Sequence, residues 1–468
     1  MGITEREGRR RSSPGQARRL PMGGGRKRQP GPGKEADRGS GDGGGRGSPG
    51  QEAAQRRGNA LETPVTCGIR DASLLPPLCH HQDARDAGAT EDPAVSRNRE
   101  PSAGDAEGGQ GALVRYRQGD QKEKEVSYVA KCNPCRKQEM FDSFTNMAFI
   151  KEAAFYYNIV PLINAELEAM GQEPLRLPAC YVNHSVEGEQ VLMMRDLRTD
   201  GFKMFDRKKG MDKAHTTLVI RELARLHAAS VIAQDKMSEP IEDTHDFLLM
   251  DFDTVEIPGG DKMFEMVFAS NLTNGAKMAE KIGGYEKVAE WLNSKSKEGM
   301  AMFIDCIRTK NEPFNVLCHG DCWNNNILFK YDETGKPIDV RLIDLQICRK
   351  ASPATDLNYF MYTTFLEIYY DTFSQVLSGA GKAMPFNLEE LKKEYHRLNL
   401  FGFIMALMVV PVVVAEAADV MDLDEFSDDV EEGIKNFQDK AMAQLDSNPL
   451  LQPRLLATYD EMLEYGVI

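Results

Sequence analysis

The amino-acid sequence predicts an α+β protein in two lobes, a small lobe with an antiparallel sheet and a larger, mainly helical lobe. Three features of the pattern predict this fold. Short alternating segments typical of strands begin at about residue 113, one amphipathic helix interrupts them, and helical periodicity dominates from residue 196 onward. We therefore expect a disordered arm at 1–112, a small lobe at 113–195 and a large lobe at 196–468.

The predicted arm holds 22 of the 40 glycines in this chain of 468 residues, together with short runs of arginine and lysine. With so little apolar periodicity, it cannot bury enough surface to offset the entropy lost on ordering. Its basic runs are typical of a solvated tail, and they also occur in nuclear-localisation and nucleic-acid-binding tails. An upstream exon that does not belong to the protein would have the same Gly/Arg/Pro bias. The arm has no apolar core of signal-peptide length, so we do not expect secretion.

Charge divides the chain at the same point. Residues 1–112 carry 18 Lys+Arg and 15 Asp+Glu, whereas residues 113–468 carry 39 and 57, a net charge of −18. A folded part this acidic is not a nucleic-acid binder by bulk electrostatics, so we expect no nucleic-acid partner for it. The nine cysteines are odd in number and irregularly spaced, which predicts reduced thiols and a cytoplasmic protein.

Short strands and one helix make up the predicted small lobe. The second strand ends at Lys131, and Glu152 follows 21 residues later on a helix with apolar residues at helical spacing. Apolar and polar side chains alternate in the first two strands, which flank a polar turn and form a hairpin. The expected elements are strands at 113–117, 126–130, 178–182 and 191–194, and the helix at 144–162.

The predicted large lobe is helical except for two short apolar strands, each of which runs into a cluster of polar residues. Because loops that follow short strands are rigid mounts for functional side chains, we expect the chemistry there. The expected elements are helices within 216–230, 260–310, 355–378 and 388–440, and strands at 315–318 and 340–343.

One stretch of the large lobe, residues 398–415, is apolar over about the length of a membrane span. It contains Asn399, Gly402 and Pro411, and Glu416 follows it directly. These residues favour a buried helix in the core of the lobe, so we expect no membrane span.

The strongest motif follows the first short strand. In the segment from His319-Gly320-Asp321 to Asn326, an aspartate precedes an asparagine by five positions, and Asp344 comes 18 residues later. Phosphoryl transfer needs a carboxylate that orients the attacking hydroxyl, and hard oxygen ligands that hold magnesium against the phosphates. Asp321 suits the first task, and Asn326 and Asp344 suit the second. Each feature alone is usually a turn or a strand end, but their combination and order favour a phosphotransferase site.

Lys131 and Glu152 complete the expected site. A lysine at the end of the second strand would reach the α- and β-phosphates of ATP, and a glutamate on the following helix would pair with it. Judged alone, the lysine could equally be an exposed strand-end charge and the glutamate a solvated helix position.

Three segments, residues 319–329, 343–346 and 352–357, resemble the ecdysteroid-kinase-like family, also described as choline-kinase-like. That family belongs with the choline kinases and aminoglycoside phosphotransferases, and the resemblance extends over about 113–465. It implies a bilobal protein-kinase-like fold that uses ATP and Mg²⁺. Because His-Gly-Asp replaces the His-Arg-Asp of protein kinases, the small-molecule branch fits better.

The resemblance also implies the roles of the catalytic-loop residues. Asp321 would be the catalytic carboxylate, and His319 would brace the loop beside it. Asn326 and Asp344 would be the metal ligands, and Asp356 would anchor a helix beneath the loop.

For the nucleotide, the resemblance implies an ion pair between Lys131 and Glu152 in the small lobe. It also implies a hinge over 193–197 that holds adenine through main-chain groups. The cofactor-binding residues expected in this hinge are Met193, Met194 and Asp196.

Two positions depart from the family pattern. Arg195 stands in the hinge where family members usually carry an acidic residue. The glycine-rich turn over the phosphates should lie just before residue 113, but residues 104–111 lack the flanking apolar alternation of a hairpin. If residues 1–112 are a replaced start, the first strand and the phosphate loop would be missing and ATP binding would be weakened.

We therefore expect a small-molecule kinase that transfers the γ-phosphoryl of MgATP to an alcohol hydroxyl, with an ecdysteroid-like steroid as the leading acceptor. Choline-type, aminoglycoside-type and xenobiotic alcohols come next. The alternative from another class is a catalytically impaired kinase-fold binding protein. A protein kinase is disfavoured because no Ala-Pro-Glu segment follows Asp344. The sequence does not indicate an oligomeric state.

Overall fold

The computed structural model describes residues 109–116, 124–133, 139–186, 189–257, 259–308, 313–360, 365–416 and 430–468. Almost all of the predicted arm, including the disorder expected of it, lies outside these residues. The predicted two-lobed α+β architecture is confirmed.

The small lobe contains a four-stranded antiparallel sheet. Its strands are β1 (Gly109–Tyr116), β2 (Lys124–Cys132), β3 (Cys180–Val186) and β4 (Glu189–Arg195). The strand order is β1-β2-β4-β3, so β2 lies inside the sheet. Lys131 near the end of β2 therefore stands opposite Gly109 on one side and Leu192 on the other.

β1 begins at Gly109, four residues before the predicted start of the small lobe. Glycine and glutamine are poor strand formers, so the pattern at 109–112 does not indicate a strand. The backbone of these residues pairs with 128–131 of β2, and this pairing makes them a strand. Two glycines of the expected phosphate turn, Gly109 and Gly111, thus lie in β1, while 104–108 lie outside the described residues.

The helix of the small lobe has three parts, α1 (Glu139–Ala154), a single π-helical turn (Phe155–Ile159) and α2 (Val160–Ala169). The N–H of Val160 bonds to the carbonyl of Phe155, five residues back. Pro161 follows in the first turn of α2, where its missing N–H costs no hydrogen bond. The helix thus changes register just before Pro161.

The large lobe combines eleven helices with five short strands among the residues described. The strands form a three-stranded sheet, in the order β5-β7-β8, and the pair β6-β9. The helices are α3 (Lys213–Asp235), α4 (Ile241–Thr244), α5 (Gly260–Ile282), α6 (Glu286–Lys295), α7 (Gly299–Ile307), α8 (Pro353–Phe360), α9 (Leu366–Gly379), α10 (Leu388–Arg397), α11 (Asn399–Val414), α12 (Val430–Ser447) and α13 (Leu451–Glu464). The strands are β5 (Phe202–Met204), β6 (Val316–Cys318), β7 (Ile327–Tyr331), β8 (Pro337–Leu342) and β9 (Arg349–Ala351). The predicted strands at 315–318 and 340–343 are confirmed as β6 and β8.

Four apolar clusters form the core among the described residues, the smallest of which joins Phe149 and Ala153 of α1 to Leu192 of β4. The first surrounds the catalytic region and joins the π-helical turn, α3, β6 to β9 and α9. The second joins α5, α6, α11 and α13. The third core cluster lies between α5, α7, α8 and α11, and its members are Phe252, Phe268, Phe303, Cys306, Ile307, Ala354, Leu398, Phe401 and Ile404.

The apolar stretch at 398–415 forms α11, in which every residue is buried or half-buried. Within the described ranges, no single helix has the length and apolar character needed to cross a membrane. α10 and α11 together meet both criteria, across a bend of 50°.

Candidate active site

The end of β2 brings Lys131 to two carboxylates from different parts of the chain. Lys131 Nζ lies 2.6 Å from Glu152 Oε2 on α1 and 2.6 Å from Asp344 Oδ1, just after β8. The Glu152 side chain is 1% exposed, and its other oxygen accepts a hydrogen bond from the N–H of Leu345 at 3.3 Å. Glu152 therefore orients Lys131 and also holds the residue next to Asp344.

The electrostatics keep Lys131 charged. Burial lowers the pKa of Lys131, but the charges of Glu152 and Asp344 outweigh this effect and hold the pKa above its usual value. The lysine side chain is 20% exposed, so its ammonium group remains accessible from the cleft. A cation held in this way is suited to bind phosphate oxygens.

Asp344 has an unusual backbone conformation. With φ at 67°, it is the only non-glycine residue with positive φ among those described. This conformation costs a residue with a side chain about 1–2 kcal/mol, and such outliers cluster at functional sites. The preceding N–H, of Ile343, bonds to the carbonyl of Asn326 at 3.0 Å. The strained turn therefore attaches Asp344 to the loop that carries the second candidate ligand.

Asp321 and Asn326 form a hydrogen-bonded pair on the loop between β6 and β7. Asn326 Nδ2 donates to Asp321 Oδ2 at 2.8 Å and to the Asp321 carbonyl at 2.9 Å. A one-turn 3-10 helix, Asn324–Asn326, closes the loop and accounts for the spacing of five residues. Because its nitrogen is committed, the amide of Asn326 presents its oxygen, which accepts no hydrogen bond from any described residue.

The Asp321 carboxylate is half-buried and has a second donor. Tyr359 on α8 donates its hydroxyl hydrogen to Asp321 Oδ1 at 2.8 Å. Burial and, after it, the negative charge of Asp344 raise the pKa of Asp321 above its usual value, and the hydrogen bond from Tyr359 offsets part of this rise. A carboxylate with raised basicity is suited to accept a proton from an alcohol.

Gly320 allows the catalytic loop to pass close to the segment after Asp344. Its φ is +84°, and a Cβ added here would lie 2.3 Å from the carbonyl oxygen of Ile347. No side chain fits in that space, which gives a physical reason for glycine in the His-Gly-Asp motif.

Asp356 on α8 lies directly beneath the catalytic loop. Its carboxylate accepts hydrogen bonds from the N–H groups of His319 and Gly320, at 2.7 and 2.9 Å. The ring of His227 contacts it at 3.0 Å and reaches the hydroxyl of Tyr369 at 2.9 Å on its other side. Burial raises the pKa of Asp356, but the hydrogen bond from His227 and further contacts hold it below its usual value. The resemblance implied that Asp356 anchors a helix; in the structure it anchors the loop itself.

The ring of His319 connects the two halves of the site. Its Nε2 lies 3.1 Å from the carbonyl of Ile343, and its Nδ1 accepts the N–H of Asp321 at 3.3 Å. These contacts suit a ring that donates through Nε2 and accepts through Nδ1. The fully buried ring braces the loop, and a part in the reaction itself stays a prediction.

The predicted hinge lies at the end of β4. Met193 and Met194 are inside the strand, and each stands opposite a residue of β2 on one side and of β3 on the other. Arg195, the departure from the family pattern, forms an exposed ion pair with Asp200 at 2.7 Å. The main-chain groups of the two methionines therefore serve the sheet ladders.

Asp196 acts through its side chain as the cap of a short 3-10 turn, Leu197–Asp200. It accepts hydrogen bonds from Ser127 Oγ at 2.6 Å and from the N–H of Arg198 at 3.0 Å. The N–H of Leu197, the first residue of the turn, has no partner within the described ranges. Leu197 itself is buried. Among the described residues, no hydrogen bond or ion pair joins Met193, Met194 or Asp196 to the catalytic loop.

Sequence reasoning missed two residues of this region, Tyr359 and Lys151. Tyr359 follows Asp356 by three positions, and residues at this spacing share a helix face, so the prediction for Asp356 already implied that Tyr359 faces the loop. Lys151 precedes Glu152, is 1% exposed, and donates to the carbonyl of Met250 at 2.5 Å. No signal in the sequence distinguishes this buried lysine from a solvated one.

Several solved structures are similar in fold, with low identity. An ethanolamine kinase of Plasmodium vivax is 13% identical over 75% of this chain and 82% of that one, with a TM-score of 0.33. A choline/ethanolamine kinase family protein of Mesorhizobium loti is 13% identical over 74% and 92%, with a TM-score of 0.28. The GDP complex of aminoglycoside 2'-phosphotransferase-IIIa is 12% identical over 71% and 93%, with a TM-score of 0.31.

No curated protein matches the sequence significantly. The ecdysteroid kinase-like family matches residues 112–378, more than half of the chain. This is a family of small-molecule kinases, and membership implies ATP as the phosphoryl donor together with Mg²⁺. The matched range contains all of the candidate site residues, from Lys131 to Asp344. The chain belongs to the ecdysteroid kinase-like family.

Proposed function

We propose that this protein transfers the γ-phosphoryl group of MgATP to the hydroxyl of a small alcohol. One observation carries the proposal. Lys131 of the small lobe contacts Glu152 and Asp344 at 2.6 Å each, so three residues far apart in sequence form one charged site between the lobes. Kinase sites use a lysine that is paired with a helix glutamate and lies near the aspartate that binds Mg²⁺, and these three residues match that arrangement.

Lys131 is proposed to bind the phosphates of ATP, with Glu152 holding it in place. We assign adenine to the end of the hinge, where the N–H of Leu197 has no partner among the described residues. In this proposal the small lobe at 113–195 carries the nucleotide, and the large lobe at 196–468 carries the catalytic loop and the acceptor.

The donor set fits magnesium. The amide oxygen of Asn326 and the second carboxylate oxygen of Asp344 accept no hydrogen bond from the described residues, and both are hard oxygen ligands of the kind Mg²⁺ prefers. Asn326 and Asp344 would hold the ion, and magnesium supplies neutralisation of phosphate charge when bound. Both residues are positioned without it, Asn326 by Asp321 and Asp344 by Lys131.

Asp321 is the proposed catalytic carboxylate. It would orient the acceptor hydroxyl and take its proton as the oxygen attacks the γ-phosphorus. Its raised pKa favours this role, because a more basic carboxylate accepts a proton more readily. His319 and Asp356 would position it through the loop backbone.

For the acceptor we propose an apolar, steroid-like alcohol. Membership of the ecdysteroid kinase-like family supports this choice. A cationic acceptor of the choline or aminoglycoside type is the second candidate. A catalytically impaired kinase-fold protein that only binds ligands remains the alternative from another class.

The test is ATP consumption by the purified full chain with Mg²⁺ and a panel of an ecdysteroid, choline and an aminoglycoside. We expect the ecdysteroid to give the highest turnover. Asp321→Asn should lower kcat by at least a thousandfold and leave MgATP affinity within about threefold. Asp332→Asn, in an exposed turn whose side chain accepts from Thr334, is the matched control and should be fully active.

Each outcome separates the candidates. Turnover that disappears in Asp321→Asn but not in Asp332→Asn supports the phosphotransferase, and the preferred alcohol identifies the acceptor class. MgATP binding without turnover on any alcohol would support the impaired kinase-fold protein. Turnover that survives in Asp321→Asn would refute the assignment of the catalytic carboxylate.

A further inference from the structure

The two oxygens of the Asp321 carboxylate face different partners. Asn326 Nδ2 donates to Oδ2 at 2.8 Å, and the hydroxyl of Tyr359 donates to Oδ1 at 2.8 Å. Asn326 is a proposed metal ligand, so Oδ2 lies on the side of the phosphates. Oδ1 lies on the side of α8.

The ring of Tyr359 lies in a different environment from its hydroxyl. It is half-buried and packs against the third core cluster, in which Phe303 and Phe401 stack with ring centroids 5.3 Å apart. Tyrosine suits such a boundary because it has an apolar body and a polar tip. Oδ1 of Asp321 therefore lies where the catalytic loop meets the aromatic core of the large lobe.

The position of Tyr359 is determined by the same helix that braces the loop. Asp356, three residues earlier on α8, accepts the N–H groups of His319 and Gly320. Since residues three apart lie on one helix face, anchoring the loop on Asp356 also brings Tyr359 to Asp321.

We propose that Tyr359 is a positioning residue for the transfer. It holds the Asp321 carboxylate in one orientation and makes Oδ1 the oxygen that receives the acceptor hydroxyl. A carboxylate oxygen has two lone pairs, so Oδ1 accepts from Tyr359 and from the alcohol together. The body of the alcohol then lies on the α8 side, with its hydroxyl oxygen between Oδ1 and the γ-phosphorus. This inference rests on the proposed phosphotransferase function.

The test compares Tyr359→Phe with the unchanged full chain, using MgATP and ecdysone. Loss of one hydrogen bond to a charged group should lower kcat roughly tenfold to a hundredfold. The KM for MgATP should stay within about twofold, since Tyr359 lies on the acceptor side. The KM for ecdysone should change less than kcat.

Tyr285→Phe is the matched control. Tyr285 is also half-buried and also donates to an aspartate, Asp460 Oδ1, at 2.7 Å, but in the second core cluster. Both variants lose one Tyr–Asp hydrogen bond without creating a cavity, so both should fold with similar Tm. Only Tyr359→Phe should lose activity.

A double variant distinguishes positioning from a general structural effect. If Tyr359 acts through the Asp321 carboxylate, adding Tyr359→Phe to Asp321→Asn should change the residual rate by less than about twofold. A structural effect would multiply the two losses.

The outcomes separate this inference from the function on which it rests. An unchanged chain that consumes no ATP with any alcohol overturns the proposed function, and with it the role of Tyr359. An active chain whose Tyr359→Phe variant keeps full kcat, or loses activity multiplicatively with Asp321→Asn, overturns the role of Tyr359 alone.

Discussion

Lys131 Nζ lies 2.6 Å from Asp344 Oδ1, which joins two residues 213 positions apart in the chain. Lys131 lies near the end of β2 in the small lobe, and Asp344 follows β8 in the large lobe. Glu152 contacts the same ammonium group at 2.6 Å. The active-site charges therefore also hold the two lobes together. A substitution at Lys131 should change both activity and stability, and a second substitution at Glu152 separates the two effects.

Lys131→Met should lower kcat/KM for MgATP by about a hundredfold, because a charge-assisted contact in a water-poor cleft contributes about 3 kcal/mol. The measurement is ATP turnover at varied MgATP. Lys350→Met is the matched control, since Lys350 forms an ion pair with Glu242 at similar exposure away from the site. Equal losses in both variants would contradict the assignment of Lys131 to the phosphates.

The same substitution should also lower the Tm, since it leaves the 1%-exposed Glu152 without its cation. An uncompensated buried charge costs about 3–5 kcal/mol. Adding Glu152→Gln removes that charge, so the double variant should recover most of the stability and none of the activity. Thermal unfolding of the two variants checks this, and a double variant no more stable than Lys131→Met would argue against it.

Lys151 should make stability depend on pH. Burial lowers its pKa to about 8, with attraction from Asp251 opposing and repulsion from Arg349 adding to the effect. Its usual value is 10.5, so the folded state binds fewer protons than the unfolded state between these pH values. The free energy of unfolding should therefore rise by about 2 kcal/mol from pH 7 to pH 9.5 through this group alone.

The Lys151→Met variant should lack this rise in the free energy of unfolding, because it keeps every titrating group of the protein except Lys151. Urea unfolding of both proteins at pH 7 and pH 9.5 gives the comparison. The same pH dependence in both proteins would mean that folding does not lower the pKa of Lys151.

Gly320→Ala and Gly335→Ala form a matched pair. Both glycines have φ near +84°, at +84° and +83°, but only Gly320 has a neighbour within reach of a Cβ, the Ile347 carbonyl at 2.3 Å. Gly335→Ala should cost about 1 kcal/mol from its backbone conformation. Gly320→Ala should cost at least about 2 kcal/mol more and abolish turnover, because the loop must move. Equal Tm values for the two variants would contradict the close approach.

Asp356→Asn should destabilise the protein by about 3 kcal/mol and lower kcat, because one amide oxygen replaces two carboxylate oxygens beneath the loop. Asp212→Asn is the control, since Asp212 also contacts a histidine, His215, but is itself exposed. Thermal unfolding and turnover of both variants test this. A stable, active Asp356→Asn protein would show that the loop is held by other contacts.

Much of the fold follows from local pattern. The alternation around residues 126–130 and the helical spacing of 144–162 predict β2 and α1, and β2 indeed ends one residue after Lys131. The element boundaries that the pattern predicts wrongly also have local causes. Gly109 to Ala112 carry no strand signal, and the helical pattern at 388–440 conceals the break between α10 and α11.

The sequence by itself determined which residues are available for chemistry, because Asp321, Asn326 and Asp344 stand at loop positions whose spacing suits magnesium and a hydroxyl. Only the tertiary structure decided what each one contacts. Three features depend on contacts between residues far apart in the chain. They are the hydrogen bond from Tyr359 to Asp321, the hydrogen bond from Lys151 to the Met250 carbonyl, and the strained φ of Asp344. The physical reason is that periodicity reports which face of an element is buried, whereas a hydrogen bond depends on positions set to a few tenths of an ångström by the packing of the whole core.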